Sequence, residues 1–181
     1  MGNILVIAAH PDDEVLGMGG YIAKAVSNGE KVHLLIVTDG SSAQYANSKE
    51  LTKIIESKKA ETKEAARVLG ISSIMYGDLP DMKLDTIAHI EINKVIEKAI
   101  ETVKPDVVFT HFWGDVNKDH QKVYESTLVA VRPVPGQIVK EVYCYNVPSS
   151  TESVPPDWIK SPSIVSVCPF RSSVPPARVR S

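Results

Sequence analysis

Ile4-Leu5-Val6-Ile7-Ala8-Ala9-His10-Pro11-Asp12-Asp13-Glu14 opens the chain with an unbroken apolar run that ends in one imidazole and three carboxylates. A short apolar run ahead of a helical pattern reads as a buried parallel strand. The polar cluster then falls on the turn at the strand's carboxyl end, where ligands bind in open α/β folds. Asp or Glu in a first helical turn caps it and stabilises its dipole, which accounts for one or two carboxylates but not for three beside a histidine. His with Asp is a donor set suited to zinc or a similar divalent ion.

Working outward from this stretch, strand-like and helix-like patterns alternate, as in a mostly parallel sheet covered by helices on both faces. The first strand spans residues 3–9, and a helix over 14–27 is stopped by Asn28-Gly29. Residues 31–37 form the second strand. A helix over about 48–69 starts at a capping-box-like Asn47 and Glu50 and stops at Gly70. Residues 71–76 are the third strand. Asp85 caps a helix whose Ile87, Ile90, Val95, Ile96, Ala99, Ile100 and Val103 keep a 3.6-residue period. Residues 107–110 are the fourth strand, 121–131 a helix and Glu141–Tyr145 the fifth strand. Gly17, Gly19 and Gly20 each cost a helix about 1 kcal/mol relative to Ala, and close approach of the first helix to the sheet offsets that cost. Gly17-Met18-Gly19-Gly20 lacks the register of a phosphate-binding loop.

A second polar cluster, Thr110-His111-Phe112-Trp113-Gly114-Asp115-Val116-Asn117-Lys118-Asp119-His120, again follows an apolar run. Two protein ligands from one loop and one from a distant loop make a common catalytic zinc site with a position left for water. The first cluster offers His10 and Asp13 and the second offers His120. Asp119 either accepts a hydrogen bond from an imidazole or caps the next helix. His33, in a strand, and His89, in a helix, read as structural or surface residues.

Ala9-His10-Pro11-Asp12-Asp13-Glu14 paired with Asp115-x-Asn117-x-Asp119-His120 resembles the LmbE-like, or PIG-L, family of zinc-dependent de-N-acetylases. The likeness takes in Thr38-Asp39-Gly40, Lys58-Lys59-Ala60-Glu61 and Leu79-Pro80-Asp81 and covers roughly residues 3 to 151. It implies a Rossmann-like, three-layer α/β fold in which His10, Asp13 and His120 bind zinc and Asp12 is the general base toward water. It further implies removal of acetyl from an N-acetylated amino sugar or its conjugate. Many members carry His where this chain has Asn117. An amide donates to an oxyanion but delivers no proton, so Asp12 once protonated, His111 or water supplies the acid, with Asp12 preferred and His111 second. Lys58 stands where a substrate-gripping Arg is frequent and lacks its bidentate fork. The preferred reading of Lys58 is a solvated charge on its helix. Thr38, Asp39 and Asp81 are candidates for sugar hydroxyls, although turn chemistry accounts for the two aspartates as well. Trp113 either stacks on a sugar ring or packs.

With 181 residues and 43% hydrophobic content, the chain is sized for one core. Its formal charge of −2 leaves no basic footprint for nucleic acid, and no apolar run reaches the ~20 residues of a membrane span. The start lacks a basic n-region, and Cys144 and Cys168 suggest neither a metal motif nor a disulfide framework, so a reducing cytoplasm is expected. Residues 1–153 read as one domain, with 154–181 a Pro- and Ser-rich tail, truncated or divergent from relatives. An oligomer is left open. The competing function is a metal- or sugar-binding module of the same fold that has lost turnover, and a third is hydrolysis of another amide or a phosphoester.

Overall fold

The computed structural model describes residues 2–45 and 49–148 and the backbone of 166–167. In chain order the elements are β1 (Asn3–Ala8), α1 (Asp13–Ser27), β2 (Lys31–Thr38), α2 (Ser42–Tyr45), α3 (Leu51–Leu69), β3 (Ser73–Leu79), α4 (His89–Val103), β4 (Val107–His111), α5 (Lys118–Ala130), β5 (Glu141–Tyr145) and β6 (Ser166–Val167). The sheet order is β3-β2-β1-β4-β5-β6. The first five strands run parallel, and β6 pairs antiparallel with β5.

β1 is central, and alternate side chains serve opposite faces. Leu5, Ile7 and Ala9 pack with Ile92 and Ile96 of α4 and Val123 of α5. Ile4, Val6 and Ala8 pack with Met18, Ile22 and Ala25 of α1 and, at the margin, Leu69 of α3. Every residue from Leu5 to Ala9 is fully buried, as the continuous apolar run requires of a strand covered on both sides. The order reverses between β1 and β4, which lie side by side with Ile4 opposite Val107 and Val6 opposite Phe109. Because α1 and α5 leave these two strands toward opposite faces, a crevice opens at the strands' carboxyl ends. Both polar clusters follow these two strands.

Several boundaries differ from the sequence expectations for identifiable reasons. β3 runs on to Leu79 because a bulge absorbs Gly77 and Asp78, with Ile36 opposite Tyr76 but Thr38 opposite Leu79. A Cβ on Gly77 would lie 2.6 Å from the Val37 carbonyl oxygen. Asp85 does not cap α4. It sits in a 3₁₀ turn, Leu84–Thr86, and α4 starts at His89 with Ala88 as its N-cap. The buried stripe is Ile92, Ile96, Ala99, Ile100 and Val103, while Ile90 is exposed. α5 begins three residues earlier than periodicity implied, because the Asn117 side chain caps it. Glu50 precedes α3 without a side-chain cap bond, and Gly70 ends that helix at φ 76° as a left-handed C-cap. Asn47 and the tail expected over 154–181, apart from the backbone of 166–167, lie outside the described residues.

Close approach of α1 to the sheet accounts for Gly17 alone. A Cβ there would meet the Tyr145 ring at 2.6 Å and the Asn146 carbonyl oxygen at 2.8 Å, whereas Gly20 has nothing within 4 Å. Gly17→Ala is therefore expected to destabilise the fold by about 1–3 kcal/mol through overpacking. Gly20→Ala is expected to stabilise it by about 0.5–1 kcal/mol through helix propensity. Urea midpoints of the two variants test this opposition, and equal shifts would refute it.

Candidate metal centre

The first cluster turns from β1 into α1 with its carboxylates deployed unusually. Asp12 is the N-cap residue of α1, at φ 129° and ψ −25°, yet its side chain makes no cap bond. Its carbonyl oxygen accepts instead from Val15 and Leu16 N–H, and Glu14 Oε2 accepts from Asp12 N–H. A non-glycine residue held in so sparsely populated a conformation marks a constrained site. Asp13 Oδ2 folds back to accept from His10 N–H at 2.8 Å. Asp12 is thus exposed, while Asp13 and Glu14 are buried.

The second cluster enters from β4. Asn117 Oδ1 accepts from Asp119 N–H at 2.9 Å and His120 N–H at 3.5 Å, which sets Asp119 and His120 in the first turn of α5. Its capping oxygen turned inward, Asn117 has its Nδ2 3.8 Å from Met82 Sδ. The capping role proposed as an alternative for Asp119 therefore belongs to Asn117.

His10 Nδ1, Asp13 Oδ2 and His120 Nε2 meet in a nearly equilateral triangle, with separations of 3.4 Å for His10 to Asp13, 3.4 Å for His120 to Asp13 and 3.3 Å for His120 to His10. A tetrahedral ion with bonds of about 2.0–2.1 Å to N and O donors has donor-to-donor edges of about 3.3–3.4 Å. The three donors match three corners of such a tetrahedron and leave the fourth for another ligand. The outward nitrogens are also held. His10 Nε2 lies 3.1 Å from Asp119 Oδ2 and 3.4 Å from Asp81 Oδ1, and His120 Nδ1 lies 2.7 Å from Asp115 Oδ2. Imidazoles oriented by carboxylates on their far side are the usual support of a metal ligand. His10, Asp81 and Asp119 also lie close enough to suggest a second metal group. Asp119, however, accepts from Met82 N–H at 2.8 Å and Leu84 N–H at 3.0 Å and faces His10 Nε2 at 3.1 Å, three contacts of the about four that a carboxylate can accept, as befits a support of the His10 ring.

The electrostatics agree. Burial disfavours a charge on His10, but hydrogen bonds to Asp119 and Asp13 more than offset it and push its pKa up to about 10. His120, against the same penalty, is pushed up to about 8 by Asp115 and Asp13. Asp13 is held well below the carboxylate range despite its burial, because three imidazoles face it. Without a metal, protons thus occupy the places of a cation. Partial desolvation at the rim of the crevice, reinforced by Asp13, raises Asp12, and full burial pushes Glu14 up to about 7.

Four sequence candidates take different places from those expected. The Thr38 hydroxyl is buried and donates to the Ala9 carbonyl at 2.8 Å, so it is spent inside the fold. Asp39 Oδ1 accepts from Ser41 N–H and Ser42 N–H, which is turn chemistry. Asp81 is buried beside His10 and does not face open solvent. His111 is fully buried, and its Nε2 accepts from Ala9 N–H at 2.8 Å, so it has no path to a leaving group. Burial lowers its pKa to about 4. Lys58 is not a freely solvated charge: its ammonium donates to the Gly40 carbonyl. It lines a cavity of about 280 Å³ with Asp12, Glu14, Leu16 and Glu61. Trp113 is exposed, its ring 5.2 Å from Phe112. His33 pairs with Ser73 Oγ at 2.7 Å, far from the centre along β2. Asp115 was missed as a support residue. The signal was its place five residues before His120, across a helix start.

The family model described as PIG-L, GlcNAc-PI de-N-acetylase, matches residues 5–131. A similar protein is the uncharacterized deacetylase YaiS of Escherichia coli, 28% identical over 167 residues, with 88% of this chain and 81% of that protein covered. Among solved structures, N,N'-diacetylchitobiose deacetylase of Pyrococcus horikoshii superposes with a TM-score of 0.69 at 24% identity, covering 80% of this chain and 60% of that one. The 4-carboxy-2-hydroxymuconate hydratase of Pseudomonas putida superposes with a TM-score of 0.66 at 25% identity, covering 80% and 65%. The chain therefore spans less than two thirds of these two solved structures. No helix among the described residues is long and apolar enough to cross a membrane.

Both raised histidine pKa values lie above neutrality, so each imidazole carries an extra proton at pH 7 in the metal-free protein. Uptake of a divalent ion at pH 7 is expected to release about two protons. Because protons compete below each pKa, apparent affinity should rise as pH increases from 6 to 9. Calorimetry in buffers of different ionisation enthalpy measures both, and a pH-independent affinity would overturn the ligand set.

Proposed function

The chain belongs to the PIG-L family, and from that premise we propose that it is a zinc-dependent hydrolase that removes acetyl from an N-acetylated amino sugar or its conjugate. The observation that carries this reading is the triangle of His10 Nδ1, Asp13 Oδ2 and His120 Nε2, with sides of 3.3–3.4 Å, beside a carboxylate that caps nothing. Two nitrogens and one oxygen suit zinc, which when bound supplies Lewis acidity and lowers the pKa of water to about 7. His10, Asp13 and His120 would hold the ion, and it would activate water and polarise the substrate carbonyl.

The chain's own groups divide the remaining work. Asp12, freed from capping, accepts a proton from water as its oxygen bonds to the acetyl carbon. The developing oxyanion lies near the amino-terminal ends of α1 and α5, whose partial positive charge favours it. Asn117 Nδ2 is a further donor for that oxygen. Asp12 then passes its proton to the departing nitrogen as the C–N bond breaks, giving acetate and a free amine. This assignment suits Asp12 better than His111, since a proton carrier must reach the substrate. Asp119, Asp81 and Asp115 hold the two imidazoles in place, and Lys58 offers a hydrogen bond to a sugar oxygen in the adjoining cavity. In this reading residues 1–153 form the catalytic domain.

Asp12→Asn is expected to keep zinc at wild-type stoichiometry and lower turnover by about 10²–10⁴-fold, the range for loss of a general base. His120→Ala should lose zinc and turnover together. Acetate release from a panel of N-acetylglucosamine conjugates, with zinc supplied and with a chelator control, measures both. Chelator-insensitive release, or intact turnover in Asp12→Asn, would refute the mechanism. No release from a folded, zinc-loaded chain would favour the binding-module reading.

A further inference from the structure

We infer that His111 is a positioning residue for the metal ligands, the seat on which all three are held. This rests on the metal reading above and adds to it a residue outside the ligand set. His111 is the last residue of β4, at the bottom of the crevice, and is fully buried. It touches each part of the triangle. Its ring lies against the His120 ring, with centroids 3.9 Å apart and planes within 13°. Its Nε2 accepts from the N–H of Ala9, the residue that delivers His10, at 2.8 Å. The same nitrogen is 3.3 Å from Asp13 Oδ2.

Each contact removes a freedom that the carboxylate supports leave open. The bond from His120 Nδ1 to Asp115 fixes the tautomer and one point of the ring, but a ring can still swing about a single hydrogen bond. A flat partner at 3.9 Å fixes its plane and so the direction of the Nε2 lone pair. The bond from Ala9 fixes the backbone entering His10. The edge of the His111 ring at Nε2, 3.3 Å from Asp13 Oδ2, limits how far that carboxylate can turn away from the two ligand imidazoles.

The seat itself is held from behind. The Tyr145 ring packs at 4.9 Å from His111, and its hydroxyl donates to the Ile7 carbonyl at 2.9 Å. Tyr145 in turn fits under α1 only because residue 17 is glycine. His111 Nδ1 is buried without a partner among the described residues. A ring needed only to fill space would avoid that loss as phenylalanine, so the imidazole is explained by what Nε2 and the ring face do for the ligands.

The test is cobalt(II) and zinc(II) binding to the full chain, read by chelator competition and by the visible absorption of the cobalt form. His111→Phe keeps a ring but loses the acceptor, and His111→Gln keeps an acceptor but loses the stack. Val108→Ala, in the same strand, is a control for destabilisation alone. Both His111 variants are expected to bind about 10–100-fold more weakly, the range for loss of an outer support. The cobalt band should shift or weaken, while Val108→Ala lowers the melting temperature and leaves affinity and spectrum unchanged. His111 variants with wild-type affinity and spectrum would overturn the inference, as would equal loss in Val108→Ala. An unsubstituted chain that takes up neither ion would overturn the metal reading and this inference with it, and needs no variant to detect.

Discussion

The adjacency of β1 and β4 in parallel register is the constraint on which the rest depends. Their crossovers depart to opposite faces, so the two loops that follow meet in one crevice, and both continue into helices whose amino-terminal ends point at it. Asp13 and Glu14 stand in the first turn of α1, and Asp119 stands in the first turn of α5. Buried carboxylates are expensive unless paired or hydrogen-bonded. Two converging helix ends supply N–H groups and positive potential from both sides. The fold can therefore afford an acidic interior at one place, and that place is where the donors converge.

A third segment closes the arrangement. The turn after β3 reaches the crevice because the bulge at Gly77 and Asp78 lengthens the strand. There Met82, at φ 53°, and Leu84 both donate backbone N–H to Asp119. Asp119 thus ties the β3 turn to α5 while its Oδ2 faces His10. Asp115 accepts from Asn117 N–H at 2.8 Å and also faces His120. The carboxylates around the histidines are held by backbone before they meet an imidazole. The pair of raised imidazole pKa values beside a depressed Asp13 is the result: a pocket with the charge pattern of a cation site.

Much of this was legible in residue order. The alternation of apolar runs and amphipathic segments gave every parallel strand, and Glu141–Tyr145 matched to the residue. Boundaries failed where a side chain or a bulge decided them. The cap at Asn117 added a turn to α5, and the bulge carried β3 past residues that look like a turn. The stripe of α4 was misjudged at Ile90, since periodicity fixes spacing but not the rotation at which a helix docks.

Sequence alone determined the donor types, their position after the first and fourth strands and the α/β class, because these follow from composition and local periodicity. Tertiary structure decided which polar groups were already spent. Thr38, Asp39 and Asn117 look like free hydrogen-bonding groups in a list of residues, yet each has at least one oxygen bonded to backbone in the fold. His111 looks like an acid near the site but is sealed beneath it. Asp12 carries no local mark distinguishing it from Asp13, and only the backbone at φ 129° separates the carboxylate left facing the crevice from the one turned in to the ligand triangle. A hydrogen bond between residues far apart in the chain leaves no trace in local pattern, so the division of labour among polar residues is settled only when the strands bring them together.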